Sequence, residues 1–156
     1  MNWLIILVIL VVIGFIVGPI LALKPNLAQK NSMYNREVAR KNNVLMQMVN
    51  LDTPHWFKNP QKLCMQYYLI RANKIKALNN NWDYWQIEPG KWVDNLRYAC
   101  LDEINYKLNN LPNAVYRVVL NEQMLALYVN DGKIDKNTNQ IKQVIEFLHK
   151  NMLDLD

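Results

Sequence analysis

The sequence predicts an α+β protein: one N-terminal transmembrane helix, then a small domain in which a largely antiparallel sheet of about five strands is covered by two helices. Three observations predict it. From Trp3 to Leu23 every residue is apolar, glycine or proline, and no charge interrupts the run. Five later segments rich in β-branched, aromatic and long apolar residues are bounded by turn signals. Two other stretches repeat their apolar residues every three or four positions, the period of an amphipathic helix.

The first run comes before any strand. At 1.5 Å per residue, about 20 residues cover the roughly 30 Å hydrocarbon core, so Trp3–Leu23 is expected to span a membrane. A cleaved secretory signal would open on a charged region and end in small residues. Here only Met1 and Asn2 precede the run, and Leu21-Ala22-Leu23-Lys24 follows it. Gly14 and Gly18 form a small-xxx-small pair and are candidate partner-contact positions. Lys24, Lys30, Arg36, Arg40 and Lys41 stand just after the span against the single acid Glu37. A basic flank stays on the cytoplasmic side, so the N-terminus is expected outside and the domain inside. The same five bases are candidate contacts for anionic lipid headgroups.

The expected organisation is therefore 1–24 as anchor, 25–42 as a basic juxtamembrane helix or linker, and 43–156 as one cytoplasmic α+β domain. Asn26 is suited to cap a helix running to about Asn42, with Leu27, Tyr34 and Val38 as a partial apolar stripe. Strands follow at Val44–Val49, Leu63–Arg71 and Trp82–Ile87, the last stopped by Glu88-Pro89-Gly90. Ile75 and Leu78 lead from the second of these towards an asparagine turn at Asn79. Trp92, Val93, Leu96, Ala99, Cys100, Ile104 and Leu108 then predict a helix, ended by Asn110-Leu111-Pro112. Val115–Leu120 and Met124–Val129, three residues apart, predict a hairpin. A turn at Asn130-Asp131-Gly132 leads to a last helix with Ile141, Val144, Ile145, Leu148 and Met152 on one face.

Charge is unevenly placed. The chain carries a net charge of +5, but Lys24 to Lys76 holds ten bases and two acids, whereas the remainder from Ala77 is net acidic. Lys58, Lys62, Arg71, Lys74 and Lys76, with Tyr67 and Tyr68 nearby, raise a nucleic-acid reading. Because those tyrosines fall in an apolar strand, no nucleic-acid partner is expected. Cys64 and Cys100 form no CxxC pair and are expected as two reduced core thiols.

No catalytic motif is present: there is no phosphate loop, dinucleotide fingerprint or nucleophile elbow. His55 lies in a proline-bounded loop beside Trp56, and His149 borders the last helix's apolar face. Neither has a recognisable nucleophile partner. The two histidines and two cysteines are scattered singly, and Asp131, Asp135 and Asn137 lack the continuation of a calcium loop, so no metal or cofactor is expected. Asp131 reads as part of a solvated turn.

The aromatic residues are the stronger signal. Trp56, Trp82 and Trp85 are candidate partner-interface residues, because Trp and Tyr are effective interface anchors. Trp82 and Trp85 fall on opposite faces of one strand, so at least one is expected near a partner surface.

The span ending Gly18-Pro19, the exit Leu23-Lys24-Pro25, the Pro89-Gly90-x-Trp92 element and the Leu111-Pro112 boundary together resemble a family of small proteobacterial inner-membrane proteins, some carrying a translocase-subunit label. The resemblance implies a single-pass inner-membrane location and no catalytic residues. The expected function is a non-enzymatic, membrane-tethered accessory or assembly subunit that docks on an integral membrane protein complex. The alternatives are a small membrane-associated enzyme using His55, and a module that senses anionic lipid.

Overall fold

The computed structural model describes residues 3–22, 24–57, 63–71 and 81–153, with the side chains of 19–22 and 153 left aside. Its elements are α1 (Trp3–Ala22), α2 (Leu27–Lys41), β1 (Leu45–Asn50), β2 (Leu63–Ile70), β3 (Trp82–Glu88), β4 (Lys91–Asp94), α3 (Asp102–Leu108), β5 (Val115–Leu120), β6 (Met124–Val129), a 3-10 turn (Asp131–Lys133) and α4 (Gln140–Leu153). The strands form one antiparallel sheet of six in the order β1-β2-β6-β5-β3-β4.

The expected membrane span is corrected first. α1 covers 20 residues, Trp3–Ala22, with Gly14, Gly18 and Pro19 inside it. Among the described residues no helix is long and apolar enough to cross a membrane. The expectations of a single-pass inner-membrane protein, a periplasmic N-terminus and a cytoplasmic domain rested on that span and fall with it. What α1 does present is exposed apolar surface, with Trp3, Leu10, Phe15 and Ile16 among its most exposed side chains.

α2 starts where the sequence places it. The Asn26 side chain accepts from the Gln29 amide at 2.8 Å, and the Gln29 side chain accepts from the Asn26 amide at 2.9 Å, a reciprocal capping box. It ends at Asn42 with Asn43 in the left-handed region, φ 56°. The Val44 amide then reaches the Ala39 carbonyl and the Asn43 amide the Arg40 carbonyl, the bonding of a Schellman stop. The buried side of α2 is Asn31, Asn35 and Ala39, not the expected stripe, since Leu27 and Tyr34 are exposed. The reason is polar. Asn35 donates from Nδ2 to the carbonyls of Asp131 and Ile134 at 3.1 and 3.3 Å, which docks the helix on the turn after β6.

Asp131 is the centre of this joint. Only 6% exposed, its carboxylate accepts from the Tyr67 hydroxyl at 2.6 Å and from Arg36 Nε at 3.2 Å. A solvated turn is therefore corrected to a buried one: the carboxylate is held by donors from β2 and α2 that lie far away in sequence. Burial first, and the neighbouring carboxylate second, push the Tyr67 phenol well above its ordinary range. Ser- and Gly-free, the connection through Asp135 to α4 is closed by the Thr138 hydroxyl donating to the Asp135 carbonyl.

The sixth strand is the second correction. The apolar spacing from Trp92 to Leu108 predicts one helix, but Gly90, at φ +73°, turns the chain into a β3–β4 hairpin. Trp92 and Val93 consequently point to opposite faces of the sheet, each in a different core cluster. Leu96, which a helix would have buried, is 74% exposed. Residues 98–100 run back along β4, bonding Asp94 and Trp92, and only Asp102–Leu108 is helical, with Asp102 and Glu103 favourably placed in its first turn.

Alternation along the strands divides the core in two. On one face Met65, Tyr67, Trp82, Val118, Leu125 and Leu127 pack with Ala39 of α2 and Ile141, Val144 and Leu148 of α4. On the other, Cys64, Trp85, Val93 and Tyr116 pack under Leu51, Trp56 and Phe57 of the loop after β1. A helical layer covers the first face, whereas the aromatic loop covers part of the second. Lys58, Lys62, Lys74, Lys76, Ile75 and Leu78 lie outside the described residues.

Both cysteines are buried and free, and they belong to the two opposite clusters. Burial pushes the Cys64 thiol up to about 11, against the pull of Arg117, and it raises Cys100 as well. At pH 8 about one Cys64 in a thousand is then thiolate. Iodoacetamide is expected to label native Cys64 far more slowly than the unfolded chain. Because the folded-state value is raised, this thiol's contribution to stability is intact below about pH 9 and is lost as pH rises towards about 11. Rapid labelling of Cys64 under native conditions at pH 8 would contradict this assignment.

Candidate aromatic cleft

The site grows from the way β3 leaves its neighbours. β3 pairs with β5 from Trp82 opposite Leu120 to Trp85 opposite Arg117, and that ladder stops there. Tyr116 sits at an irregularity where β5 shifts register against β6, and extra residues of this kind bend a strand away from its partner. Gln86, Ile87 and Glu88 thus continue beside β4 while β5 diverges. A cleft of about 340 Å³ opens between them, walled by Trp56, Phe57, Gln86 and Tyr116, with Arg97 and Lys133 at its polar side.

Its aromatic wall is a set of edge contacts. Trp56 meets Trp85 at 6.5 Å and 78°, Phe57 meets Trp85 at 5.2 Å and 56°, and Phe57 meets Tyr116 at 6.3 Å and 73°. These separations and tilts are the favourable ones for ring quadrupoles. The loop carrying Trp56 is therefore pinned on the open face of the sheet by rings from β3 and β5.

The polar wall is held by the tight connection after β4. The Asp94 carboxylate accepts from the amides of Leu96 and Tyr98 at 2.9 and 2.8 Å, which closes the turn around Asn95 and Arg97. Arg97 takes φ +67°, a conformation that costs a non-glycine residue energy and persists only where the surroundings impose it. Its guanidinium lies 5.7 Å from the Trp56 ring centroid. Asn95 ties both tryptophans: its carbonyl accepts from Trp56 Nε1 at 3.1 Å, and its side-chain oxygen accepts from Trp85 Nε1 at 2.7 Å. Its own Nδ2 donates to Asp83 at 2.6 Å.

Asp83 closes the network. It accepts two bonds from Arg117, at 2.6 Å from Nε and 2.7 Å from Nη2, a bidentate arrangement that fixes the guanidinium in plane. Arg117 also lies 4.7 Å from the Trp85 ring centroid and 5.4 Å from that of Tyr128. Burial opposes its charge, but the Asp83 carboxylate outweighs that and holds the guanidinium above its ordinary value. Tyr128 accepts from Gln66, which in turn bonds Gln47 of the edge strand. The arrangement can present aromatic surface and fixed positive charge side by side. It places no nucleophile beside a base.

The expected site residues divide accordingly. Trp56 is half-buried at the mouth of the cleft, whereas Trp85 is 1% exposed beneath it and Trp82 is 7% exposed on the other sheet face. Neither Trp82 nor Trp85 offers a contact surface of its own, because α4-side packing encloses one and the 51–57 loop the other. Nothing lies within 4 Å of a Cβ built on Gly14 or Gly18. Lys24, Lys30, Arg40 and Lys41 are exposed, but Arg36 is drawn onto Asp131. His55 is exposed and is not part of the cleft's described lining. His149 sits with its ring nitrogen 3.0 Å from the Asn42 carbonyl, joining α4 to the end of α2. Among the described residues no cluster of three or more His, Cys, Asp or Glu could hold a metal.

Sequence reasoning missed Asp83, Asn95, Arg97, Tyr116 and Arg117. Asn95 and Arg97 were hidden by a helical period that ran through them. The available signal was Pro89-Gly90 followed four residues later by Asp94-Asn95, two turn pairs flanking a strand too short to be noticed.

No family model, no curated protein and no solved structure matches this chain.

Proposed function

We propose that this chain is a non-enzymatic docking module, an accessory subunit that binds a segment of a partner protein at the aromatic cleft. The observation that carries the reading is Trp56. A large indole stands half-exposed at the mouth of a cavity, held there by the Asn95 carbonyl below and the Arg97 guanidinium beside it. Rigid, partly exposed Trp beside Arg is the composition of an interface hot spot. A ring already fixed in place loses little further freedom on binding. The exposed apolar length of α1 supports the same reading, since contiguous apolar surface on this scale marks an interaction site.

The test is crosslinking at native expression level followed by gentle purification and mass spectrometry, with the wild type beside Trp56→Ala. One reproducible partner is expected for the wild type and at least a tenfold loss of it for the variant, a loss of roughly 1.4 kcal/mol or more. Thermal unfolding of W56A should stay within a few degrees of wild type, so that the loss is read as lost contact. Monomer alone in every condition, or equal recovery with W56A, would remove the proposal.

A further inference from the structure

The sheet has two edges, and the chain treats them differently. β4, at one end of the strand order, is short and carries Lys91 and Asp94. Residues 98–100 cover it: the Asp94 amide donates to the Tyr98 carbonyl, and the Cys100 amide donates to the Trp92 carbonyl. β1, at the other end, has none of these guards. Its six residues, Leu45-Met46-Gln47-Met48-Val49-Asn50, include no charge and no proline, and they pair with β2 in unbroken register from Leu45 opposite Tyr68 to Asn50 opposite Leu63. In an antiparallel pair every second residue turns its N–H and C=O away from the partner strand. Among the described residues, those outward groups of β1 take no backbone partner. Leu45 and Met48 are 44% and 55% exposed along the same strand. Natural sheets blunt an open edge with lysine, proline, a bulge or a covering segment, because a straight apolar edge pairs readily with another strand.

We infer that β1 is the interface of a homodimer: the β1 strands of two copies pair antiparallel across a two-fold axis and join the two six-stranded sheets into one. A second copy is the occupant that the charges favour. A two-fold contact sets the strand against itself, and an uncharged strand opposes no like charges when it does so. The flanks carry the opposite signs that antiparallel pairing suits. Arg40 is exposed before β1 and Asp52 is exposed after it, so the basic end of one strand lies beside the acidic end of the other. A parallel pairing would set like beside like. The aromatic cleft belongs to the β3 and β5 side of the sheet, away from this edge, so the dimer keeps one open cleft in each copy.

The full chain is tested by sedimentation equilibrium and by cysteine crosslinking. The wild type is expected to sediment as a dimer. Met48→Lys, at an exposed position, brings two lysines together across the axis and should raise the dissociation constant at least about tenfold, while Met48→Leu leaves it unchanged. The far-ultraviolet circular dichroism of M48K should match the wild type, which separates lost pairing from lost folding. Native Cys64 and Cys100 are buried, so an added surface thiol reports its own contacts. Gln47→Cys or Met48→Cys, whichever lies on the two-fold axis, should form an intermolecular disulfide at least about tenfold faster than Ile70→Cys, because pairing raises the local thiol concentration. Ile70 is the comparison because it is 63% exposed at the far end of β2. Monomer at every concentration overturns the inference. So does association that M48K leaves untouched, or crosslinking no faster at positions 47 and 48 than at 70, since either outcome places the contact on another surface such as α1. The W56A comparison concerns a different surface and decides the docking proposal independently.

Discussion

Asp131→Ala is expected to destabilise the protein by about 3 kcal/mol, measured as a shift in the urea midpoint with little change in slope. The carboxylate is the shared acceptor of Tyr67 from β2 and Arg36 from α2. Alanine leaves the Tyr67 hydroxyl, on a residue with no exposed surface, without an acceptor in the core, and it removes the ion-pair partner of Arg36. The two halves of the effect separate in variants. Tyr67→Phe removes the donor as well, so Y67F combined with D131A should be no less stable than D131A alone, whereas Asp131→Asn, which keeps an acceptor oxygen, should cost about half as much as D131A. A D131A protein within about 0.5 kcal/mol of wild type would show that α2 is held by packing and the Asn35 bonds alone.

Trp85→Ala is expected to cost about 4 kcal/mol, at the upper end of core truncations, since the ring is enclosed by Trp56, Phe57 and Arg117. It should also undo the cleft. Without the ring, Phe57 and Trp56 lose their shared support, and Asn95 loses the indole donor that orients it. Trp85→Phe isolates the second effect: it keeps an aromatic plane under Arg117 but deletes the 2.7 Å bond to Asn95. Its expected cost is about 1.5 kcal/mol, accompanied by a shift of the Trp56 indole signal, because both indoles are tied through Asn95. A W85F protein whose Trp56 signal is unmoved would mean that the two tryptophans are positioned independently.

Much of the fold was legible locally, and the reason can be given element by element. The capping box of Asn26 and Gln29 and the stop at Asn42-Asn43 are interactions within a few residues, so they can be read wherever they occur. The β5–β6 hairpin and α4 carry strong two- and four-residue periods and short connections. Trp92–Leu108 failed because apolar residues facing two different sheet faces happened to fall at helical intervals. Only Gly90's left-handed backbone and the return of residues 98–100 along β4 distinguish the two cases.

The site was less legible. Trp56 was identifiable as a bulky ring in a proline-bounded loop, but its supports come from β3, the turn after β4, and β5. Arg117 read as a polar residue in a strand, and its pairing with Asp83 spans 34 positions. Asp131 looked like a turn residue open to water, yet it is buried by α2 and β2. The expected membrane helix rests on a composition argument over one segment. Among the described residues no helix is long and apolar enough to cross a membrane.

By itself the sequence determined an α+β chain with an apolar N-terminal helix, the caps and turns of its later elements, and an aromatic-rich half. Those properties depend on neighbours within one or two turns of backbone, where periodicity, capping and turn chemistry act. Only the tertiary structure decided the sixth strand, the burial of Trp82 and Trp85, the Asp83–Asn95–Arg117 network and the opening between β3 and β5. Each depends on which distant strands pair and where that pairing stops, and hydrogen bonds between segments tens of residues apart leave no period in the sequence to read.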